Sequence, residues 1–443
     1  MLTTGINSGL GYVFWIVVAR SYPTAAIGVA AALITAMTFV AVVANFGTSP
    51  ALIQRLPRAR DDDDWSRIVS TSVITGAVAG LVIALVCALL ILPLASRSLA
   101  VEGTSVWYAL LFAAGVAVWS LSLIADYLFI AERRSENMTL RNLAFGLLKL
   151  GLVVLVVLAG ARSALSIFLC WVGGCLLSLA LARTVLARRV PRRFHLAIRG
   201  TLTSLRSMGS SYFGNYLTTL GNVIPFALLP TLVVARLSAT DNAYFYVTWL
   251  LGGAFFMISS AVGSALFAEG SNDPVRVDDQ TRSAIKITAA LLAPMMLVFF
   301  IGGRWLLGLF GAQYASHGAT LLIVLTASAV PDAVTNIYVA RLRARERLAF
   351  PAATNMAMAA VTLLGAWLLL PPLGIVGAGV AWIAAQSTGT VAVLADVALK
   401  SRRPRRSGEA APVEAATTPP STATNGRIVE GAGGAVRGVR SPR

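Results

Sequence analysis

Of 443 residues, 57% are hydrophobic and only 12% are charged, whereas a soluble domain carries about 25% charged residues. That balance excludes an ordinary soluble globular chain and fits a polytopic membrane protein. The formal net charge of +17 would raise nucleic acid as a partner in a soluble chain, but here the arginines fall in short links between apolar runs. They read as anchors on anionic membrane lipids at the cytoplasmic face, with no nucleic-acid partner.

Twelve segments are apolar over the roughly 20 residues that a bilayer crossing needs. They lie near 2–20, 25–46, 68–95, 106–130, 142–160 and 164–187, then 208–235, 242–268, 284–303, 318–340, 348–370 and 375–399. The first run starts almost at Met1 without flanking Lys or Arg, so a start upstream, or a slight truncation, is expected. No cleavable signal peptide is read there, because a multi-span pattern follows without a basic leader. The run "RARDDDDWSR" (Arg58–Arg67) reads as a solvated, self-neutralising turn in a cytoplasmic link. Cys87, Cys170 and Cys175 fall inside apolar runs, where neither a disulfide framework nor a zinc site is expected. No cofactor or metal is implied, and no GxxxxGK[ST] phosphate loop is present.

Alternate links differ sharply in basic residues: 24 Lys and Arg on one side, including Arg133, Arg134, Arg141 and Arg341, against five on the other, Arg20, Arg97, Arg162, Arg236 and Arg304. The positive-inside rule then places both termini in the cytoplasm. The link at 188–206 falls at the midpoint of the spans and divides the chain into lobes of 1–195 and 196–400. Residues 401–443, rich in Pro, Ser, Thr, Gly, Ala and Arg, read as a disordered basic cytoplasmic tail.

The two halves echo one another. "VVARSYPTAAIG" after span one answers "VVARLSATDNAY" after span seven at an offset of 216; "SRSL" answers "GRWL" at 207; "FIAERR" answers "YVARLR" at 209. Each string alone is weak, but three in order at equivalent span ends indicate a duplicated six-helix unit. Six is even, so both copies enter the membrane from the same side.

"GYVFWIVVARSYPTAAIGVAAALITAM" (Gly11–Met37) followed by "ANFGTSPALIQRLPR" (Ala44–Arg58) resembles the start of bacterial polysaccharide transporters. These flippases of lipid-linked O-antigen and exopolysaccharide units share a superfamily with the MATE multidrug exporters and the lipid II flippase. The resemblance covers about 1–400, and the segment before the second "VVAR" departs from it. It implies an all-α fold, two six-helix lobes in a V around a central cavity, that is no enzyme. The implied function is to move undecaprenyl-diphosphate-linked oligosaccharide from the inner to the outer leaflet of the bacterial plasma membrane. The implied partners are the lipid-linked substrate, a polysaccharide polymerase and glycosyltransferases.

Such a cargo needs a wet, polar cavity for its hydroxyls and cationic donors for its diphosphate. An anion leaving an inside-negative cell gains about 2.3 kcal/mol per charge per 100 mV, enough to bias transport without ATP. Charges and amides within spans are therefore the cavity candidates. Lys149 has two readings, cavity cation or structural pair; Asp332 is a cavity carboxylate; Asp126 is either that or a cap or partner to Arg133. Lys286 and Asp396 lie nearer span ends. Asn215 and Asn222 share a face of span seven, for cargo contact or helix pairing. Arg20 and Arg236 sit at the predicted periplasmic mouth, as diphosphate ligands or interfacial anchors. Pro225 and Pro230 should kink or break span seven. In the superfamily resembled, spans one and seven bend during transport, which makes these prolines and Gly9 and Gly11 hinge candidates. The alternative is a MATE-like cation-coupled exporter, which calls for buried carboxylates in the first lobe. A membrane scaffold, with the basic tail its one hint, and a multi-span glycosyltransferase, disfavoured by the lack of a large periplasmic loop, are the other readings.

Overall fold

A computed structural model describes the backbone of residues 2–45, 52, 56, 59–95, 106–189, 213–272 and 274–402. Side chains are described over 9–45, 52, 56, 59–86, 107–184, 220–270 and 275–399. The midpoint link beyond Arg189, the tail beyond Arg402, Arg97, and the side chains of Cys87 and Asn215 lie outside the described residues. The chain folds as one unit over Met1–Val397; of a second, Ala398–Arg443, only the end of the last helix is described.

Among the described residues the protein is all-α, with twelve helices of at least 20 residues. They are α1 (Leu2–Ser21), α2 (Thr24–Ala44), α3 (Asp62–Ala95), α4 (Val106–Ala131), α5 (Ser135–Leu158) and α6 (Ala164–Arg189), then α7 (Phe213–Arg236), α8 (Ala239–Asn272), α9 (Val277–Gly308), α10 (Ala312–Ala344), α11 (Ala349–Leu373) and α12 (Ile375–Arg402). Ten of the described helices are long and apolar enough to cross a membrane. Where water is absent, every backbone N–H and C=O must be satisfied inside the helix, which is why such runs have no alternative to α-structure.

Several helices start earlier than hydropathy marks. α5 begins at Ser135, not 142, and α9 at Val277, not 284. The extra turns are polar, and helix hydrogen bonding continues through them after the apolar pattern ends. Arg141 is therefore no link residue but lies inside α5, 5% exposed. The acidic run is likewise a helix start. Asp61 Oδ1 accepts from the Asp64 N–H at 2.7 Å, and Asp64 Oδ2 accepts from the Arg60 N–H at 3.3 Å. This reciprocal cap places three carboxylates at the positive end of α3.

The duplication is visible in how the helices stop. At the end of α4 the Arg134 N–H reaches the Phe129 carbonyl, and at the end of α10 the Arg347 N–H reaches the Leu342 carbonyl. Both are six-to-one caps closed by a non-glycine residue in the left-handed region, Arg133 at φ 56° and Glu346 at φ 57°, 213 residues apart. The α5–α6 turn has the same cap, with the Ala161 N–H on the Val156 carbonyl and Gly160 at φ 79°; the α11–α12 turn also carries a positive-φ glycine, Gly374 (φ 59°), but in a different conformation. A short string match can arise by chance; the same rare backbone conformation at equivalent corners is harder to obtain that way.

Helices α1–α6 pack among themselves, as do α7–α12, and α2 is the main bridge, lying against α7 and α8. Its small residues permit close approach. At Gly28 an added Cβ would lie 1.7 Å from the Ala239 carbonyl oxygen, and the buried Asn242 donates to the Gly28 carbonyl at 2.7 Å. Further contacts join the two sets: Trp15 on Tyr246 with centroids 4.7 Å apart, Tyr12 Oη to the Leu250 carbonyl, Arg20 Nε to the Leu309 carbonyl at 2.8 Å, and Gln313 to Thr24. All lie toward the end where α1 stops and α2 and α8 start. The two six-helix sets are thus joined at the Arg20 end.

Candidate functional site

Within the second set, α7, α8, α10, α11 and α12 enclose a cavity of about 410 Å³. Asn222 and Phe226 come from α7, Phe256, Ser260 and Ser264 from α8, Asp332, Thr335 and Asn336 from α10, Asn355 from α11, and Trp382 and Gln386 from α12. Such a density of amides and hydroxyls between helices this apolar is costly unless something polar is met there.

The geometry begins with Pro331. Lacking an N–H, it leaves the carbonyl one turn back without its helical donor. Its own carbonyl accepts from the Thr335 hydroxyl at 3.0 Å and the Thr390 hydroxyl at 3.1 Å, tying α10 to α12. The next residue, Asp332, is 5% exposed and accepts from the Ser259 hydroxyl of α8. One turn on, Asn336 donates to the Asp332 carbonyl at 3.2 Å, which fixes its amide on the same face. Trp382 packs edge-on to Phe226 and Phe256, each with centroids 5.2 Å away. Trp382 Nε1 and Gln386 Oε1 are both buried without a protein hydrogen-bond partner among the described residues. Asp332 is the only charged residue in the described lining.

Of the residues singled out from sequence, Asn222 and Asp332 meet in this cavity; Asn215 has no described side chain. Lys149 lies in the other set, 4% exposed. Its ammonium rests on the rings of Trp171 (3.8 Å), Phe145 (4.7 Å) and Phe14 (5.1 Å). Asp126 takes Arg141 as its partner, not Arg133, with 2.9 Å between them. That guanidinium also donates to the Ser122 hydroxyl and the Asn142 side-chain oxygen. Arg20 and Arg236 both occupy the last turn of their helices. Arg20 crosses to Leu309, whereas Arg236 stacks on Trp367 of its own set at 4.2 Å. Pro225 and Pro230 do not break α7, which is helical from Phe213 to Arg236; packed neighbours let a membrane helix carry proline without ending. Gly9 and Gly11 of α1 have open space around them.

Asn336, Asn355, Gln386 and Trp382 were missed because only charges and one asparagine pair were weighed. The spacing of Asn336, four residues after Asp332, was the available signal. Among the described residues no cluster of three His, Cys, Asp or Glu is placed to hold a metal.

The Arg141 pair gives a direct stability test. Arg141→Ala leaves the Asp126 carboxylate without its cation and is expected to lower unfolding stability by about 3 kcal/mol. The double change with Asp126→Asn should recover most of that loss, read by thermal unfolding in detergent.

The family described as "Polysaccharide biosynthesis protein" matches residues 1–263. Among solved structures, an inward-facing multidrug resistance MATE family transporter of the MOP superfamily superposes with TM-score 0.72 at 16% identity, covering 90% of this chain and 96% of that one. The lipid II flippase MurJ in an inward closed conformation gives TM-score 0.73 at 12% identity, with 90% and 87% covered. An outward-facing MATE transporter of the same superfamily gives TM-score 0.62 at 15% identity, with 90% and 95% covered. Comparison with curated protein sequences gives no significant match. With its matched region spanning more than half its length and its helices arranged as in the MATE and MurJ structures, the chain belongs to the polysaccharide biosynthesis protein family.

Proposed function

We propose that this protein is a flippase for undecaprenyl-diphosphate-linked oligosaccharide units, precursors of O-antigen or exopolysaccharide. It works by alternating access between lobes of 1–195 and 196–400. The observation that carries the reading is the cavity between α7, α8, α10, α11 and α12. Its amides, hydroxyls and one carboxylate match the paired donors and acceptors of sugar hydroxyls, while Trp382, Phe226 and Phe256 offer faces to the C–H side of a sugar ring. The basic bias of alternate links supports cytoplasmic termini in a bacterial plasma membrane. On that orientation the joined Arg20 end is periplasmic, and the cargo enters from the inner leaflet. A polymerase and glycosyltransferases would act on either side of this step.

Lys149 fits the same reading as a cation held for the anionic cargo. Its burial without an acidic partner among the described residues costs free energy that packing alone does not require. Lys149→Met is expected to keep or raise thermal stability while lowering transport. A loss of stability equal to the loss of transport would assign it to the core instead.

The exporter reading calls for a free carboxylate in the first lobe, and Asp126 is committed to Arg141. Proteoliposomes loaded with a fluorescent lipid-linked oligosaccharide separate the two. Protein-dependent exposure of the glycan to an external lectin supports the flippase. Unchanged lectin access together with efflux of a cationic dye supports the exporter.

A further inference from the structure

The wall between the polar cavity and the outer surface is α10 itself. Asp332, Thr335 and Asn336 face the cavity, while Val330, Val334, Ile337 and Arg341 line a second hollow of about 520 Å³ against α9. This hollow is almost wholly apolar, and three small residues, Ala289 and Ala293 of α9 and Ala333 of α10, keep it open. The exposed Ile285, Val330 and Val334 on its rim face outward, where the fold meets lipid.

Its chemistry is polarised along its length. The groove follows α10 from Arg341 back to Val330, 11 residues or about 16 Å of helix. Half the hydrocarbon core of a bilayer is about 15 Å. The groove therefore runs from a headgroup plane to the bilayer midplane, the reach of one leaflet. At its head, Arg341 and Arg345 both bind the same Asp278 oxygen at 2.7 Å. Two guanidiniums share one carboxylate, which leaves a positive charge there. Arg341 Nε is buried without a hydrogen-bond partner among the described residues. On α9, Arg282 is held by Asp279 only at 3.8 Å, and Lys286, one turn further along, is exposed.

We infer that this groove is a binding site for one anionic phospholipid, its phosphate on Arg341 and Arg345 and an acyl chain between α9 and α10. Charge complementarity selects an anionic head, and the one-leaflet length selects a chain anchored at the membrane face where α10 ends. The site is independent of what the polar cavity carries.

The test is native mass spectrometry of the full-length protein titrated with phosphatidylglycerol, phosphatidylcholine and undecaprenyl phosphate. The wild type should retain one phosphatidylglycerol in preference to phosphatidylcholine and gain thermal stability from it. Ala289→Phe and Ala293→Phe fill the groove from exposed positions and should weaken that retention about tenfold. The triple change Arg341→Gln, Arg345→Gln and Asp278→Asn removes both guanidiniums without leaving the carboxylate alone, and should abolish the preference for phosphatidylglycerol while monodispersity persists. Equal retention of the two phospholipids by the wild type, undiminished retention by the filled variants, or displacement of phosphatidylglycerol by equimolar undecaprenyl phosphate would overturn the assignment.

Discussion

Gly28→Val is expected to cost transport at least tenfold and to loosen the Arg20 end of the molecule. Even a single Cβ at this position would meet the Ala239 carbonyl oxygen at 1.7 Å, its carbon at 2.7 Å and the Ala243 nitrogen at 3.0 Å. All three are backbone atoms at the start of α8, so no rotamer change relieves the overlap. Overpacking of a tight site costs typically about 1–3 kcal/mol, and displacing α8 also forfeits the Asn242 to Gly28 hydrogen bond, worth about 1 kcal/mol. Because α2 is the main bridge between the two helix sets, the destabilisation falls on the joined state rather than on either set alone. A cysteine pair at Thr24 and Gln313, whose side chains meet at 3.4 Å across that junction, reports the effect once Cys87, Cys170 and Cys175 are replaced by alanine. Cross-linking should be efficient while Gly28 is present and fall when Gly28→Val is added. Asn242→Ala, which removes the hydrogen bond without a clash, should give an intermediate result. Undiminished cross-linking in Gly28→Val would show that the junction does not depend on this approach.

Asp332→Asn is expected to lower glycan transport by about ten- to a hundredfold, the range for losing a hydrogen bond to a charged group. Thermal stability should be unchanged or higher. The sign of the stability change separates the two roles a buried carboxylate can have. Asp332 is 5% exposed and accepts from Ser259, and no cation pairs with it among the described residues. Asparagine keeps the shape and an acceptor for Ser259 while removing a charge whose desolvation opposes folding. A residue kept for the fold would lose stability on this change; one kept for cargo would lose only transport. Trp382→Ala should lower transport as well, by removing the aromatic face and the unpartnered Nε1 from the cavity wall. Proteoliposome flipping and thermal unfolding on the same preparations give both readouts. Wild-type flipping by both variants would remove the cavity from the transport path.

Hydropathy alone places each of the twelve long helices that the structure describes, though not the short turn at Pro274–Arg276, because in lipid an apolar run of about 20 residues has one way to satisfy its backbone. The string matches hinted at the duplication, but the match of "FIAERR" to "YVARLR" at an offset of 209 is one helical turn out of register: the equivalent caps lie 213 residues apart, Arg133 with Glu346 and Arg134 with Arg347. The boundaries at α5 and α9 were not legible, because hydropathy tracks the surrounding solvent while hydrogen bonding continues into it. That error placed Arg141 in a link and gave Asp126 the wrong partner: Arg133 is closer in sequence, but it occupies the left-handed corner after α4.

Sequence by itself determined the all-α membrane architecture, the number of helices and the presence of costly polar groups within them. It did not determine which of those groups meet. Asn222 and Asp332 are 110 positions apart and share one cavity, while Lys149 and Asp332, alike in their cost, lie in different helix sets. Helical periodicity assigns each residue to a face, but which faces oppose one another depends on packing between helices distant in the chain. Gly28, one glycine among 38 in the sequence, acquired its meaning only from the backbone of α8 pressed against it.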